Sequence, residues 1–239
     1  NFNAYYFILL KQWKKSLLME EVRYYFIIIG ISTAIIFFNI LNLFSNAFDA
    51  LRHATFQVGS IITTTGFSSV DFDIWPETSK IILVLLMFIG ACSGSTGGGI
   101  KVSRIMILIK TVVKELNSYI HPRSVRKIKI DGKPVEHDVV RATNVYFITF
   151  MVIFAFSVFA ISFENIGLVT SFTAVTATIN NIGPGLELVG PTQNFSVFGP
   201  FSKYVLMFDM LAGRLELFPL LLLFHPSALK DMVKKSNNY

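Results

Sequence analysis

From Val22 to Phe44 the chain carries no charge after Arg23, a run of about 23 residues. About 20 apolar residues are enough to cross a bilayer, and lipid offers the backbone no hydrogen-bond partners, so such a run crosses as a helix. The rest of the sequence agrees. Only 15% of residues are charged, 53% are hydrophobic and 24 are Phe, with a mean hydropathy of +0.58. Globular domains carry about 25% charge, so the fold class expected is an all-α polytopic membrane protein. The net charge of +6 does not point to nucleic acid, because the basic residues cluster in the loops between apolar segments, as on a cytoplasmic face. A single cysteine, Cys92, excludes an intrachain disulfide and any multi-cysteine metal site. No cleavable signal peptide is expected, since Asn1 follows neither an initiator Met nor a basic stretch, and the start reads as the middle of a longer or trimmed chain.

The chain divides by charge and hydropathy. Residues 1–21 read as the inner end of a preceding helix, the stub Tyr5 to Leu10, and a cytoplasmic basic segment with Lys11, Lys14 and Lys15. Residues 22–116 hold the first crossing and a second that begins at Lys80, is interrupted by Gly90 to Gly99, and resumes at Ile100 as a basic amphipathic helix. A glycine run within a membrane segment marks a discontinuous helix. Residues 117–138 form a basic cytoplasmic connector with a turn expected at Asp131-Gly132, residues 139–225 a further pair of crossings (Val139 to Phe163 and Lys203 to Phe224), and residues 226–239 a cytoplasmic tail.

Between each pair of crossings lies a segment too short and too polar to span. Ala47 to Ile62 runs into Thr63-Thr64-Thr65-Gly66-Phe67-Ser68, and Glu164 to Ile179 runs into Asn180-Asn181-Ile182-Gly183-Pro184-Gly185. A re-entrant helix followed by a Thr- and Gly-containing loop is how a membrane protein lines a pore with backbone carbonyls. Glycine lets successive carbonyls face one axis, and a helix C-terminus aimed at that axis favours a cation. The halves share punctuation: Gly66 aligns with Gly183, Ser79-Lys80 with Ser202-Lys203, and Gly90 with Gly213. That is the pattern of two pore-loop repeats, with acidic Asp71, Asp73, Glu77 and Glu187 outside and basic loops inside.

Thr64-Thr65-Gly66-Phe67-Ser68, Gly94-Ser95-Thr96-Gly97-Gly98-Gly99-Ile100-Lys101, Asn180-Asn181-Ile182-Gly183-Pro184-Gly185 and Gly213-Arg214-Leu215-Glu216 together resemble the Trk/Ktr/HKT superfamily of potassium transporters. The connector, His121-Pro122-Arg123 through Gly132-Lys133-Pro134-Val135, resembles its TrkH branch. The resemblance covers essentially the whole chain but matches the third and fourth of the family's four repeats. It implies a multi-pass protein of the cytoplasmic (inner) membrane that takes up potassium. The filter residues implied are Thr64, Thr65, Gly66 and Phe67 with Asn181, Ile182, Gly183 and Pro184, binding K+ through backbone carbonyls. The gate implied is Gly94, Ser95, Thr96, Gly97, Gly98 and Gly99, with Arg214 projecting into the pore as an electrostatic barrier. It further implies no covalent cofactor, K+ as the transported ligand, a homodimer in membrane lipid, missing N-terminal repeats or a second copy to complete the pore, and a cytoplasmic nucleotide-binding regulatory subunit.

Other classes fit less well. The glycine run is not a phosphate loop, because Ile100 separates Gly99 from Lys101 and no strand precedes it. A membrane-embedded enzyme using Ser93 to Gly99 would need a catalytic acid or base nearby, and the sequence offers none. His53, His121, His137 and His225 lack metal-ligand spacing. Arg214 in a crossing has either the pore role or an ion pair with Asp209 or Glu216, since a charge at that depth must face water or a partner. A non-conducting half-protein that assembles with other subunits is the alternative to conduction.

Overall fold

The computed structural model describes residues 1–121 and 127–214. Arg123, Arg126, Glu216, His225, the end of the last crossing and the whole tail lie outside the described residues. The chain opens with two short helices, α1 (Phe2–Leu9) and α2 (Trp13–Leu18), which lead into α3 (Glu20–Ile40), extended by a turn of 3-10 helix at Leu41–Leu43. Then come α4 (Ala47–Ile62), α5 (Glu77–Phe88) and α6 (Val102–Ile120). A two-residue-strand hairpin, β1 (Lys129–Ile130) and β2 (Lys133–Pro134), precedes α7 (His137–Ser162), α8 (Leu168–Ile179) and α9, described from Pro200 to Arg214.

Among the described residues two helices are long and apolar enough to span: Glu20–Leu43 and His137–Ser162, with mean hydropathies of 2.2 and 2.3. Their outward faces carry Phe38 and Phe156, 72% and 69% exposed. Water would penalise such surfaces, whereas acyl chains accommodate them. Helix α5, at 12 residues, is about 18 Å long, short of the roughly 30 Å of a bilayer's apolar layer.

Helices α3, α4 and α5 pack together, as do α7, α8 and α9. The first core, built on Ile36, Ile40, Ala54, Val58, Ile61 and Leu83, also takes Ile182 and Leu186 from the far half. The second, built on Phe150, Phe154, Ile161, Val175 and Leu206, takes Ile100 and packs against Phe88. Helix α4 is amphipathic: Ala50, Ala54, Gln57, Val58 and Ile61 face inward at helical spacing. Helix α8 is buried on every side from Thr173 to Ile179. Thr173, Thr176 and Thr178 satisfy their hydroxyls within the helix, Thr173 Oγ1 donating to the Val169 carbonyl (2.8 Å) and Thr176 Oγ1 to that of Phe172 (2.8 Å), whereas Thr170 Oγ1 donates to Glu187 (2.8 Å).

Two departures from an all-helical chain have local causes. At Asp131 (φ 51°) and Gly132 (φ 76°) two successive left-handed residues close the hairpin, the arrangement that matches the twist of two-residue turns. In the membrane break, Ile89 and Ile100 form a parallel bridge, with the Gly90 N–H donating to the Ile100 carbonyl (2.8 Å) and the Ile100 N–H to that of Phe88 (3.0 Å). Helix α6 runs on to Ile120, into the stretch expected to be connector, and α8 begins at Leu168 because Gly167 at φ 112° precedes it.

Candidate functional site

Helices α4 and α8 end alike. The Thr64 and Asn181 N–H groups donate to the carbonyls of Ile61 and Thr178 (3.0 Å each). The following N–H groups, of Thr65 and Ile182, reach one residue further back, to Ser60 (2.9 Å) and Ala177 (2.8 Å). This pair of bonds closes a helix through a left-handed residue. Thr64 and Asn181 both sit at φ 54°, a region that L residues, β-branched ones above all, enter at a cost. Gly66 (φ 78°) and Gly183 (φ 115°) then turn each loop.

Past these caps the carbonyls are left over. Among the described residues, none of the four from Thr63 to Gly66, nor of the four from Asn180 to Gly183, accepts a hydrogen bond. Within these runs Thr63, Thr65 and Gly183 are exposed, while Asn180 and Ile182 are buried. The runs do meet: a Cβ on Gly66 would lie 1.9 Å from the Ile182 carbonyl oxygen and 3.3 Å from Pro184 Cδ. Among the described residues, nothing lies within 4 Å of a Cβ on Gly183. On its side lies a cavity of about 580 Å3, bordered by Ile182, Phe195, Lys203, Met207 and Met210. Phe67 differs from its neighbours: its carbonyl accepts from Ser60 Oγ (2.5 Å) and its side chain is exposed.

The glycine-rich break lies against both loops. Gly98 N–H donates to Thr64 Oγ1 (3.0 Å). A Cβ on Gly97 would meet Thr64 Oγ1 at 3.2 Å, and one on Gly98 would meet the Asn180 carbonyl oxygen at 2.0 Å. No other residue fits at Gly98 without moving the second loop. Arg214 donates from Nη1 to the Thr96 carbonyl (2.6 Å). Asp209, the pairing candidate within the described residues, instead accepts from Ser157 Oγ (2.7 Å). Helix α9 reaches this region because Gly213 sits against the Ile179 carbonyl, 1.8 Å from where a Cβ would be. Asn181 Nδ2 also donates to the Met210 carbonyl (3.1 Å).

Three side chains that hold this assembly were not read from the sequence. Lys101 Nζ donates to the Ser95 carbonyl (3.1 Å), Ser95 Oγ (3.2 Å) and the Gly97 carbonyl. Glu21, only 4% exposed, accepts from the Ser93 N–H (2.6 Å) and Ser93 Oγ (2.8 Å). His53 stacks on Phe44 and shares a 2.9 Å hydrogen bond between Nδ1 and Ser69 Oγ beyond the first loop. Glu21 and His53 reach across sequence distance, which spacing cannot signal; for Lys101 the available hint was its place at the N-terminal cap of α6, where the helix dipole disfavours it. On the outer side, Asp73 accepts from the Glu187 N–H (3.1 Å) and Asp71 from Thr192 Oγ1 (3.3 Å), tying the two halves together. No group of His, Cys, Asp or Glu side chains among the described residues is arranged to hold a metal ion.

Known proteins share this arrangement. The family model described as TrkH, cation transport protein, matches residues 15–234. The Trk system potassium uptake protein TrkH of Escherichia coli is 36% identical over 215 residues, covering 90% of this chain and 44% of that protein. Its counterpart in Vibrio parahaemolyticus is 39% identical over 184 residues, 77% of this chain and 38% of that one. The crystal structure of the potassium transporter TrkH from Vibrio parahaemolyticus superposes with a TM-score of 0.86 at 34% identity, over 95% of this chain and 49% of that chain. The chain thus spans about half the length of the relatives it matches. These relatives are membrane transporters rather than enzymes, and the chain belongs to the TrkH family of cation transport proteins.

Proposed function

We propose that this chain supplies two pore loops of a potassium uptake pathway across the cytoplasmic membrane. One observation carries the reading: two identically capped loops, side by side, present runs of carbonyls that accept no hydrogen bond from the described residues. Thr64, Thr65 and Gly66 with Asn181, Ile182 and Gly183 supply the coordinating carbonyls. Ser60 already occupies the Phe67 carbonyl, and Pro184 packs near Gly66, so these two act at the margin. The loop from Gly94 to Gly99 lies across the inner side of the carbonyl runs and, with Arg214, blocks passage in this conformation. Two loops surround an ion on two sides only, so conduction requires further loops from a partner segment or a second copy. A nucleotide-binding regulatory subunit on the basic inner face fits the naming of its relatives as proteins of a Trk system.

The test is rubidium-tracer uptake into proteoliposomes, with this chain alone and with the N-terminal half of a TrkH protein co-expressed. Uptake that appears only with the added half, and that potassium competes far better than sodium, is the expected result. Folded protein with no uptake in either case would leave the alternative, a non-conducting half that assembles with other subunits.

A further inference from the structure

Three successive carbonyls of the membrane break, those of Ser95, Thr96 and Gly97, are each capped by a cationic side chain. Arg214 takes the middle one from α9. Lys101 folds back from the start of α6 and takes the outer two together with Ser95 Oγ. An ammonium group held by three oxygens meets the same kind of donor atoms that coordinate a potassium ion, and the two cations are close in size. The position is costly on other grounds. It lies at the positive end of α6, where the helix dipole disfavours a cation. The same loop donates from Gly98 N–H to Thr64 in the first carbonyl run, so its shape is coupled to the candidate filter.

We infer that Ser95 and Gly97 form a monovalent-cation pocket in which the Lys101 ammonium stands as a tethered ion, holding the loop in its blocking shape, and that a free cation of potassium or ammonium size competes for the same oxygens. This rests on the pore reading for its meaning in transport, but the pocket is testable without flux. Lys101 acts through the loop and is a positioning residue.

Cys92 is the sole cysteine of the chain, is 5% exposed, and its carbonyl accepts the Ser95 N–H (3.2 Å). Its rate of labelling by a membrane-permeant maleimide therefore reports loop opening. In reconstituted protein, Lys101→Ala is expected to label about tenfold faster than the native chain, the effect of losing one charged hydrogen-bonded latch. Lys101→Arg, which keeps donors and charge, is expected to stay near the native rate. Ammonium chloride is expected to slow labelling of Lys101→Ala, and choline chloride at equal ionic strength to leave it fast. Native-rate labelling of Lys101→Ala, or equal effects of ammonium and choline, would overturn the inference. Should Lys101→Ala not fold, Ser95→Ala removes one acceptor alone and is expected to label about threefold faster; an unchanged rate overturns the inference equally. Rubidium uptake in the same vesicles is scored separately. Its absence when the N-terminal half is co-reconstituted counts against the pore reading, while the labelling rates decide the pocket.

Discussion

Gly66 and Gly183 occupy matching places in the two loops, yet a methyl group would meet different fates at each. At Gly66 it collides with the Ile182 carbonyl oxygen; at Gly183 it enters open space and meets only an unfavourable φ of 115°. Backbone strain of that kind costs about 1–3 kcal/mol, and the collision at Gly66 comes on top of it. Gly66→Ala is therefore expected to lower the melting temperature of the detergent-solubilised chain more than Gly183→Ala does. Equal shifts would mean that the two loops do not touch in solution. Both substitutions are expected to reduce discrimination between rubidium and sodium wherever uptake is observed, since each disturbs a carbonyl run.

At the scale of elements, the break between α5 and α6 is a tied structure rather than a slack connection. The bridge between Ile89 and Ile100 closes its base, Glu21 of α3 holds Ser93, and Thr64, Lys101 and Arg214 hold the rest. Glu21→Gln leaves one acceptor oxygen for three donors, the Ser93 N–H, Ser93 Oγ and Asn1 Nδ2. Hydrogen bonds to charged groups contribute about 1.5–3 kcal/mol, so amide exchange from Ser93 to Gly99 is expected to rise at least tenfold while α7 and α8 keep their protection. Protection unchanged in the break would show that Glu21 is not one of its anchors. Much of this element was legible in the sequence. The uncharged run after Arg23, the amphipathic stretch from Ala47 to Ile62 and the glycines from Gly94 to Gly99 each carry a local signal, of length, period or backbone freedom. The bridge and the Glu21 and Lys101 contacts carry none, because two-residue pairings have no periodicity and a long side chain can reach in many directions. The hairpin announced its turn at Asp131-Gly132 but not its strands, for the same reason.

Across the whole molecule, the halves are joined by residues lent from one core to the other. Phe88, the last residue of α5, packs edge-on against Phe150 and Phe154 of α7 (6.4 and 5.4 Å between ring centroids) and near Phe172 of α8 (6.3 Å). Lipid removes the usual gain from burying apolar surface, so such contacts stabilise through close packing. Phe88→Ala is expected to lower the melting temperature clearly, whereas Phe156→Ala, at an outward-facing position, is expected to leave it nearly unchanged. Similar shifts would argue that the halves fold independently of this junction.

The uneven surroundings of the two loop glycines also give the molecule a direction. The first loop seats its glycine on the carbonyl of the second, and the second offers its own glycine to empty space. Repeating that step generates a cycle with one rotational sense, each loop leaning on the next. A closed cycle then demands that whatever seats beyond Gly183 present a carbonyl where Ile182 presents one. By the register of the two helix caps, the corresponding position in the first loop is Thr65. Under the proposed pore reading, the pathway would take its handedness from these backbone contacts, and a partner that offered the opposite edge would leave it open on one side.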